Sequence, residues 1–476
     1  MVRSFCLILV VCVMAPSLVL AAQPAGFAGD WAGALEVGGA KLRLVFHFQE
    51  AAGAWSGTID SIDQGANGIP IGTVTVDGAK LHCDLPAIRG SYEGTLSDDG
   101  AGITGTWSQG GMSLPLNLVR GDASSMKGPN RPQEPRPPLP YSSEDVTFPG
   151  PGGITLAGTL TAPKGAGPFP AVLLITGSGP EDRDETVFNH RPFLVLSDHL
   201  TRHGLAVLRV DDRGVGKSGG TYATATSEDF AQDAMAAVGY LKSRKDVDAT
   251  RIGLVGHSEG GIIAPMVATR SGDVAFIVLM AGVGVPAEDL MTRQSALIMK
   301  ANGATDTMIQ DNQDAQRKMF DIVRAEKNPA AAEPKLRAVG DALIAKLAAE
   351  NPSMGEAGRA SIEGSIVMVN SPWFRYWLTL DPAATLRRVK QPVLALNGSL
   401  DLQVDSKQNL PAIEHALREG GNQDVTASEL PGLNHLFQTA TTGSPAEYAA
   451  IEETMAPSAM KAISDWILAR SGPKNK

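Results

Sequence analysis

The chain reads as an α/β protein: a mostly parallel sheet with helices on both faces, interrupted by a helical cap and preceded by a small all-β domain. Three observations carry that reading. From about residue 144, apolar runs of strand length alternate with amphipathic helical stretches, the pattern of a parallel sheet buried on both faces. Between about 27 and 120, short alternating runs recur, punctuated by Gly, Asp and Asn, with no helical period among them. Between about 284 and 380 the alternation gives way to helical, Met-rich sequence.

In chain order, residues 1–22 carry the marks of a signal peptide. Arg3 is followed by a long apolar run that Pro16 breaks late, and Ala21 and Ala22 supply small residues for cleavage. The run is shorter than the ~20 residues a spanning helix needs. The expected product is exported, periplasmic or secreted from a bacterium, without a membrane span after cleavage. Cys6 and Cys12 fall in this segment, so Cys83 alone remains and no intrachain disulfide is expected. A formal charge of −10 with no basic run argues against a nucleic-acid partner.

Residues 23–120 are expected to form a small barrel or sandwich, with Trp31, Trp55 and Trp107 in its core. Residues 121–143 are rich in Pro and polar residues and read as an extended linker. The second domain then spans 144–476. Its strands include FPAVLLI, LAVLRV, RIGLVG, VAFIVLM and QPVLALNG, with helices between them. The helical insertion of about 284–380 lies between VAFIVLM and QPVLALNG, so it is expected to overhang the carboxyl ends of the strands as a cap.

One stretch concentrates the chemistry. RIGLVG leads into Gly256-His257-Ser258-Glu259-Gly260, and the helical GIIAPMVATR follows at once. Strand, G-x-S-x-G and helix make a nucleophile elbow, with Ser258 at the apex of a strained turn. Glycines flank it because side chains there would strike the neighbouring strand and helix. An activated serine needs a base, and the base needs an orienting carboxylate. Asp401 follows the strand QPVLALNG directly, and His435 lies beyond the last strand in LPGLNHLF. Both are expected in loops on the face where Ser258 emerges. Asp405 is the alternative acid, less favoured because it stands further from the strand end. The oxyanion donors are expected to be the backbone N–H groups of Glu259 and Ser178. His257 and Gly177 stand beside the nucleophile, and Trp373 and Trp377, at the exit of the cap, are candidates for the pocket wall. His190 is placed where it too can line the pocket.

RGVGKSGG falls short of a phosphate loop, since the spacing requires glycine where Asp211 stands. Neither H-E-x-x-H nor a cysteine cluster calls for a metal, and the chemistry read here needs no cofactor.

Residues from about 144 to 470 resemble the α/β-hydrolase superfamily, and within it the serine-aminopeptidase-like and acyl-peptide-hydrolase-like exported bacterial esterases. The stretches GSGPEDRDE, VDDRGVGKSGG and GHSEGG carry the likeness. It implies a carboxylesterase with Ser258, Asp401 and His435 as triad, acting on a small ester. The alternatives are a peptidase or amidase acting on short peptides or aminoacyl substrates, and a non-catalytic binding protein that kept the fold. Thr176 departs from the pattern, because many relatives carry histidine before the oxyanion-hole glycine.

Overall fold

The computed structural model describes residues 26–121, except 38, 39, 65, 89, 110 and 111, and residues 130–471, except 351. The proposed signal segment 1–22 and linker residues 122–129 lie outside the described residues.

The N-terminal region is one antiparallel sheet running from Gly29–Val37 to Leu118–Arg120. Its edges, Ala66–Pro70 and Thr73–Asp77, are consecutive halves of one bent segment. At the bend, Ile71 N–H donates to the Gly57 carbonyl at 3.0 Å and Gly72 N–H to the Asp84 carbonyl at 2.8 Å. The sheet therefore curls back towards itself as a half-barrel. Alternation along each strand points one row of side chains inward. Trp31, Phe46, Tyr92 and Trp107 are buried there, while Trp55 is half-buried at the side of that core. Buried Trp31 satisfies its indole N–H on the Phe27 carbonyl at 2.7 Å.

The second sheet has eight strands: β1 (Ser142–Pro149), β2 (Thr155–Ala162), β3 (Phe169–Ile175), β4 (Ala206–Val210), β5 (Val247–His257), β6 (Val274–Met280), β7 (Val393–Gly398) and β8 (Val425–Leu430). Their order across the sheet is β1-β2-β4-β3-β5-β6-β7-β8. The pairs β1–β2 and β2–β4 are antiparallel, and every pair from β4 to β8 is parallel. The central strands are buried along nearly their whole length, which explains why they read as continuous apolar runs.

Helices α1 (Pro192–Arg202), α2 (Ser227–Ser243) and α3 (Gly260–Ala268) join successive strands. Between β6 and β7 come α4 (Ala287–Ala301), α5 (Asp306–Ala325), α6 (Pro329–Glu350), α7 (Pro352–Asn370), α8 (Pro372–Trp377) and α9 (Pro382–Leu386); α10 (Ser406–Glu419) and α11 (Pro457–Ser471) complete the set. α1 packs on α11, while α2, α3, α9 and α10 form a separate row, so both faces of the sheet are covered. The cap helices begin where their sequences dictate: the Thr305 and Ser371 side chains accept the N–H groups of Met308 and Phe374, each at 3.2 Å. Among the described residues no helix is long and apolar enough to cross a membrane.

Candidate active site

Ser258 stands between the end of β5 and the start of α3 with φ +52°, a left-handed conformation that costs a non-glycine residue about 1–2 kcal/mol. Packing imposes it. A Cβ on Gly256 would lie 2.0 Å from the Gly260 carbonyl oxygen, and one on Gly260 would lie 2.2 Å from that of Ile175. Ser258 N–H donates to the Met280 carbonyl at 2.9 Å, which ties the turn to β6. The Glu259 N–H belongs to the first turn of α3, whose N–H groups have no acceptor within the helix.

Asp401 and His435 meet. His435 Nδ1 lies 2.8 Å from Asp401 Oδ2, and both side chains are buried. The other oxygen of Asp401 accepts the N–H groups of Gln403 and Val404, each at 2.8 Å. The carboxylate is therefore held from both ends. Asp405 is used elsewhere: one oxygen caps α10 and the other pairs with Arg293 of α4 at 2.8 Å. Ser258 and His435 line one cavity of ≈ 590 Å³ together with Gly177, Ser178, His257, Glu259, Trp373 and Trp377. Of the residues singled out from the sequence for this site, Asp401 stands behind His435 and His190 does not reach the cavity; Asp405 aside, the others line it.

His190 is fully buried behind the wall, bonded to Thr454 Oγ1 at 3.0 Å and to the Tyr448 carbonyl at 2.9 Å. Burial and the nearby Arg131 charge push its pKa down to about 4, so it is a neutral structural link. Its position in a loop of mixed polarity gave no sign that it turns inward.

His257 does more than stand beside Ser258. Its Nδ1 lies 2.8 Å from Glu185 Oε1, and its Nε2 donates to the carbonyl of His435 at 3.0 Å. Both ring nitrogens face acceptors, which favours the imidazolium. Burial pulls its pKa down, but the Glu185 carboxylate and the His435 carbonyl outweigh burial and raise it. Glu185 Oε1 also accepts the Gly177 N–H at 3.1 Å. Glu185 therefore joins the loop after β3 to the turn at Ser258 and, through His257, to the main chain of His435. Sequence reading passed over it, although it closes the motif GSGPEDRDE.

Arg183 and Asp184 of that motif brace the neighbouring loop. Arg183 pairs with Asp211 at 2.7 Å, and Arg209 bonds Asp184. The Asp211 carboxylate also accepts Lys217 N–H at 2.9 Å, so a carboxylate fills the loop that imitates a phosphate cradle. Thr176 Oγ1 donates to Asp212 at 2.9 Å, which gives the departure from histidine a role in joining β3 and β4.

Several carboxyls are crowded here. Glu181, Glu185 and Glu259 line the cavity, and Asp212 lies close behind. Burial, with Glu185 and Asp212 nearby, raises Glu181 well above the usual range. Burial raises Asp212 to about 8. Glu259 rises to about 7 through burial, although Ser227 Oγ and the Trp373 indole N–H both donate to its Oε1, at 2.6 and 2.8 Å. Trp373 in turn stacks on Trp377, ring centres 5.2 Å apart. The cap thus grips Glu259, the residue next to Ser258. Neither lysine nor arginine lines the cavity among the described residues.

Residues 152–427, more than half of the chain, match the model of the X-Pro dipeptidyl-peptidase family, S15. The chain belongs to this family. Curated relatives include esterase EstD of Thermotoga maritima, 28% identical over 316 residues that cover 65% of this chain and 64% of that protein. Esterase FrsA of an Enterobacter species is 30% identical over 126 residues, 26% of this chain and 28% of that protein. The matches thus span less than two thirds of the length of these relatives. Among solved structures, the Pyrococcus furiosus esterase Pf2001 aligns with a TM-score of 0.44 and 16% identity, over 73% of this chain and 99% of that one. Within S15, the match starts inside the second domain and leaves the barrel outside it.

Proposed function

We propose that this chain is a serine hydrolase that cleaves carboxylic esters through an acyl-enzyme. The observation that carries the reading is the Asp401–His435 pair, held at 2.8 Å beside the cavity in which strained Ser258 stands. With Nδ1 bound to Asp401, the imidazole presents Nε2 as base. Ser258 Oγ attacks the ester carbonyl as its proton moves to Nε2. Negative charge developing on the carbonyl oxygen is met by the N–H groups of Glu259 and Ser178. The Gly177 N–H is already given to Glu185, which favours Ser178 as second donor. His435 returns the proton to the departing alcohol. Water, activated by the same Nε2, then attacks the acyl-serine, and the carboxylic acid leaves. The esterase relatives support the ester as substrate. The apolar N-terminal segment supports export to the periplasm or medium.

A second reading, cleavage of aminoacyl or peptide substrates, is favoured by one observation. Among the described residues three glutamates and neither lysine nor arginine line the cavity, beside the rings of Tyr222, Trp373 and Trp377. Carboxylates and aromatic faces both attract an ammonium group. The S15 membership points the same way.

A fluorophosphonate probe should label wild type and spare Ser258→Ala. The variant should lose several orders of magnitude in kcat on p-nitrophenyl butyrate, since triad members are worth roughly 10⁴–10⁶. Labelling that persists in Ser258→Ala moves the nucleophile elsewhere. Faster turnover of aminoacyl anilides than of neutral esters decides for the second reading.

A further inference from the structure

The Pro-rich segment that follows the barrel grips the catalytic domain. Arg131, itself buried, donates to four main-chain carbonyls: Asn189 at 3.1 Å, Phe188 at 3.3 Å, Ile451 at 2.6 Å and Ala449 at 3.0 Å. Two residues on, Gln133 Oε1 accepts the N–H groups of Thr454 and Met455 at 2.6 and 3.0 Å, and its Nε2 donates to the Met455 carbonyl at 2.7 Å. These acceptors and donors belong to two different loops. The loop after β3 carries Ser178, Glu185 and Phe188, and the loop after β8 carries His435 and Tyr448. Phe188 and Tyr448 touch edge to face, ring centres 5.6 Å apart, and both line the cavity.

The first loop needs holding. Phe188 and Asn189 sit at φ +49° and +59°, conformations that side-chain-bearing residues adopt only where their surroundings impose them. The carbonyls of these same two residues are two of the four that Arg131 binds. On the far side, buried His190 links the two loops again through Thr454 and the Tyr448 carbonyl.

We propose that Arg131, seconded by Gln133, is a positioning residue that sets the Phe188–Tyr448 wall of the substrate cavity. The proposal rests on the hydrolase reading above. Its consequence is selectivity: the wall governs how well a bulky ester seats, while the elbow and the Asp401–His435 pair stand on other contacts. The segment before the catalytic domain is then part of the enzyme's specificity.

The test uses the full chain and p-nitrophenyl acetate against p-nitrophenyl octanoate, with sites counted by fluorophosphonate labelling. Wild-type labelling and acetate turnover check the hydrolase reading separately. Arg131→Ala should lower kcat/KM for octanoate relative to acetate by about tenfold, mostly through KM, because small displacements of a substrate-positioning wall are costly. Millimolar guanidinium chloride should restore the ratio where sodium chloride does not, and Arg131→Lys, which lacks the planar fork, should remain impaired. An unchanged ratio, or equal loss on both esters, overturns the proposal. If Arg131→Ala does not fold, Gln133→Ala is judged by the same ratio.

Discussion

In the floor of the cavity, backbone meets backbone. Gly256 and Gly260 have no room for a methyl group, and Ser258 is forced to φ +52° between a strand and a helix. In the roof, side chain meets side chain. The Trp373 N–H reaches Glu259, Tyr376 OH donates to Glu228 at 3.2 Å, and Arg375 binds the carbonyls at the end of α5. A floor built from main chain offers one arrangement and tolerates few substitutions. A roof held by single side chains can be retuned one residue at a time. The chemistry assigned to this molecule stands on the first kind of surface and its selectivity on the second.

The sharpest way to break that comparison lies on the floor. Asp401→Asn keeps the shape but leaves the imidazole in the wrong tautomer, and kcat should fall by about 10⁴. Asp405→Asn, four residues away, should change kcat only a few-fold, because Asp405 caps α10 and pairs with Arg293 of the cap. Steady-state kinetics on one activated ester checks both. The opposite ranking would transfer the role of acid to Asp405.

Legibility in the sequence follows the same division. The strained turn at Ser258 and the positions of Asp401 and His435 were readable because strand ends and glycines mark positions where backbone geometry admits few residues. The parallel sheet was readable because buried strands such as VAFIVLM are apolar throughout. The signal for a two-sided sheet says nothing about order, so the β1-β2-β4-β3 arrangement came from the structure. Glu185, Arg131 and Tyr448 were not singled out as parts of the site, and His190 was placed at the cavity wall although it lies buried behind it. Each acts through a partner far away in sequence, such as His257 for Glu185, and local pattern does not encode such pairings. Arg131 was hidden for a further reason: a Pro-rich stretch reads as an extended linker, although its first described turn is docked.

Glu259 joins floor to roof, and its titration tests that junction. The buried carboxyl titrates at about 7, above the usual carboxyl range. The folded chain thus holds a proton there that the unfolded chain releases near pH 4.5. The stabilisation from that proton is complete below about pH 4.5 and is lost as pH rises through about 7. Glu259→Gln imitates the protonated acid and can still accept from Ser227 and Trp373. Between pH 5 and 8, wild type should therefore lose about 2–3 kcal/mol of unfolding free energy relative to the variant. Urea unfolding at the two pH values measures it, and parallel pH profiles would sink the assignment.

The smallest expected effect belongs to the roof alone. Trp377 is nearly buried, stacks on Trp373 and lies edge-on to Phe374, so its ring serves both the packing of α8 and the wall of the cavity. The indole N–H of Trp373 donates to the Glu259 carboxyl. Trp373→Phe removes that hydrogen bond and keeps an aromatic face, so neutral esters should bind a few-fold more weakly with kcat largely kept. Trp377→Leu opens apolar space, which should raise kcat/KM for octanoyl relative to acetyl ester by roughly tenfold, since each methylene in an apolar pocket is worth ~1 kcal/mol or more. Thermal unfolding of both variants separates loss of fold from change of selectivity. If octanoate and acetate keep their ratio in Trp377→Leu while the protein remains folded, the tryptophans only pack the cap, and selectivity must be sought on the Phe188–Tyr448 wall instead.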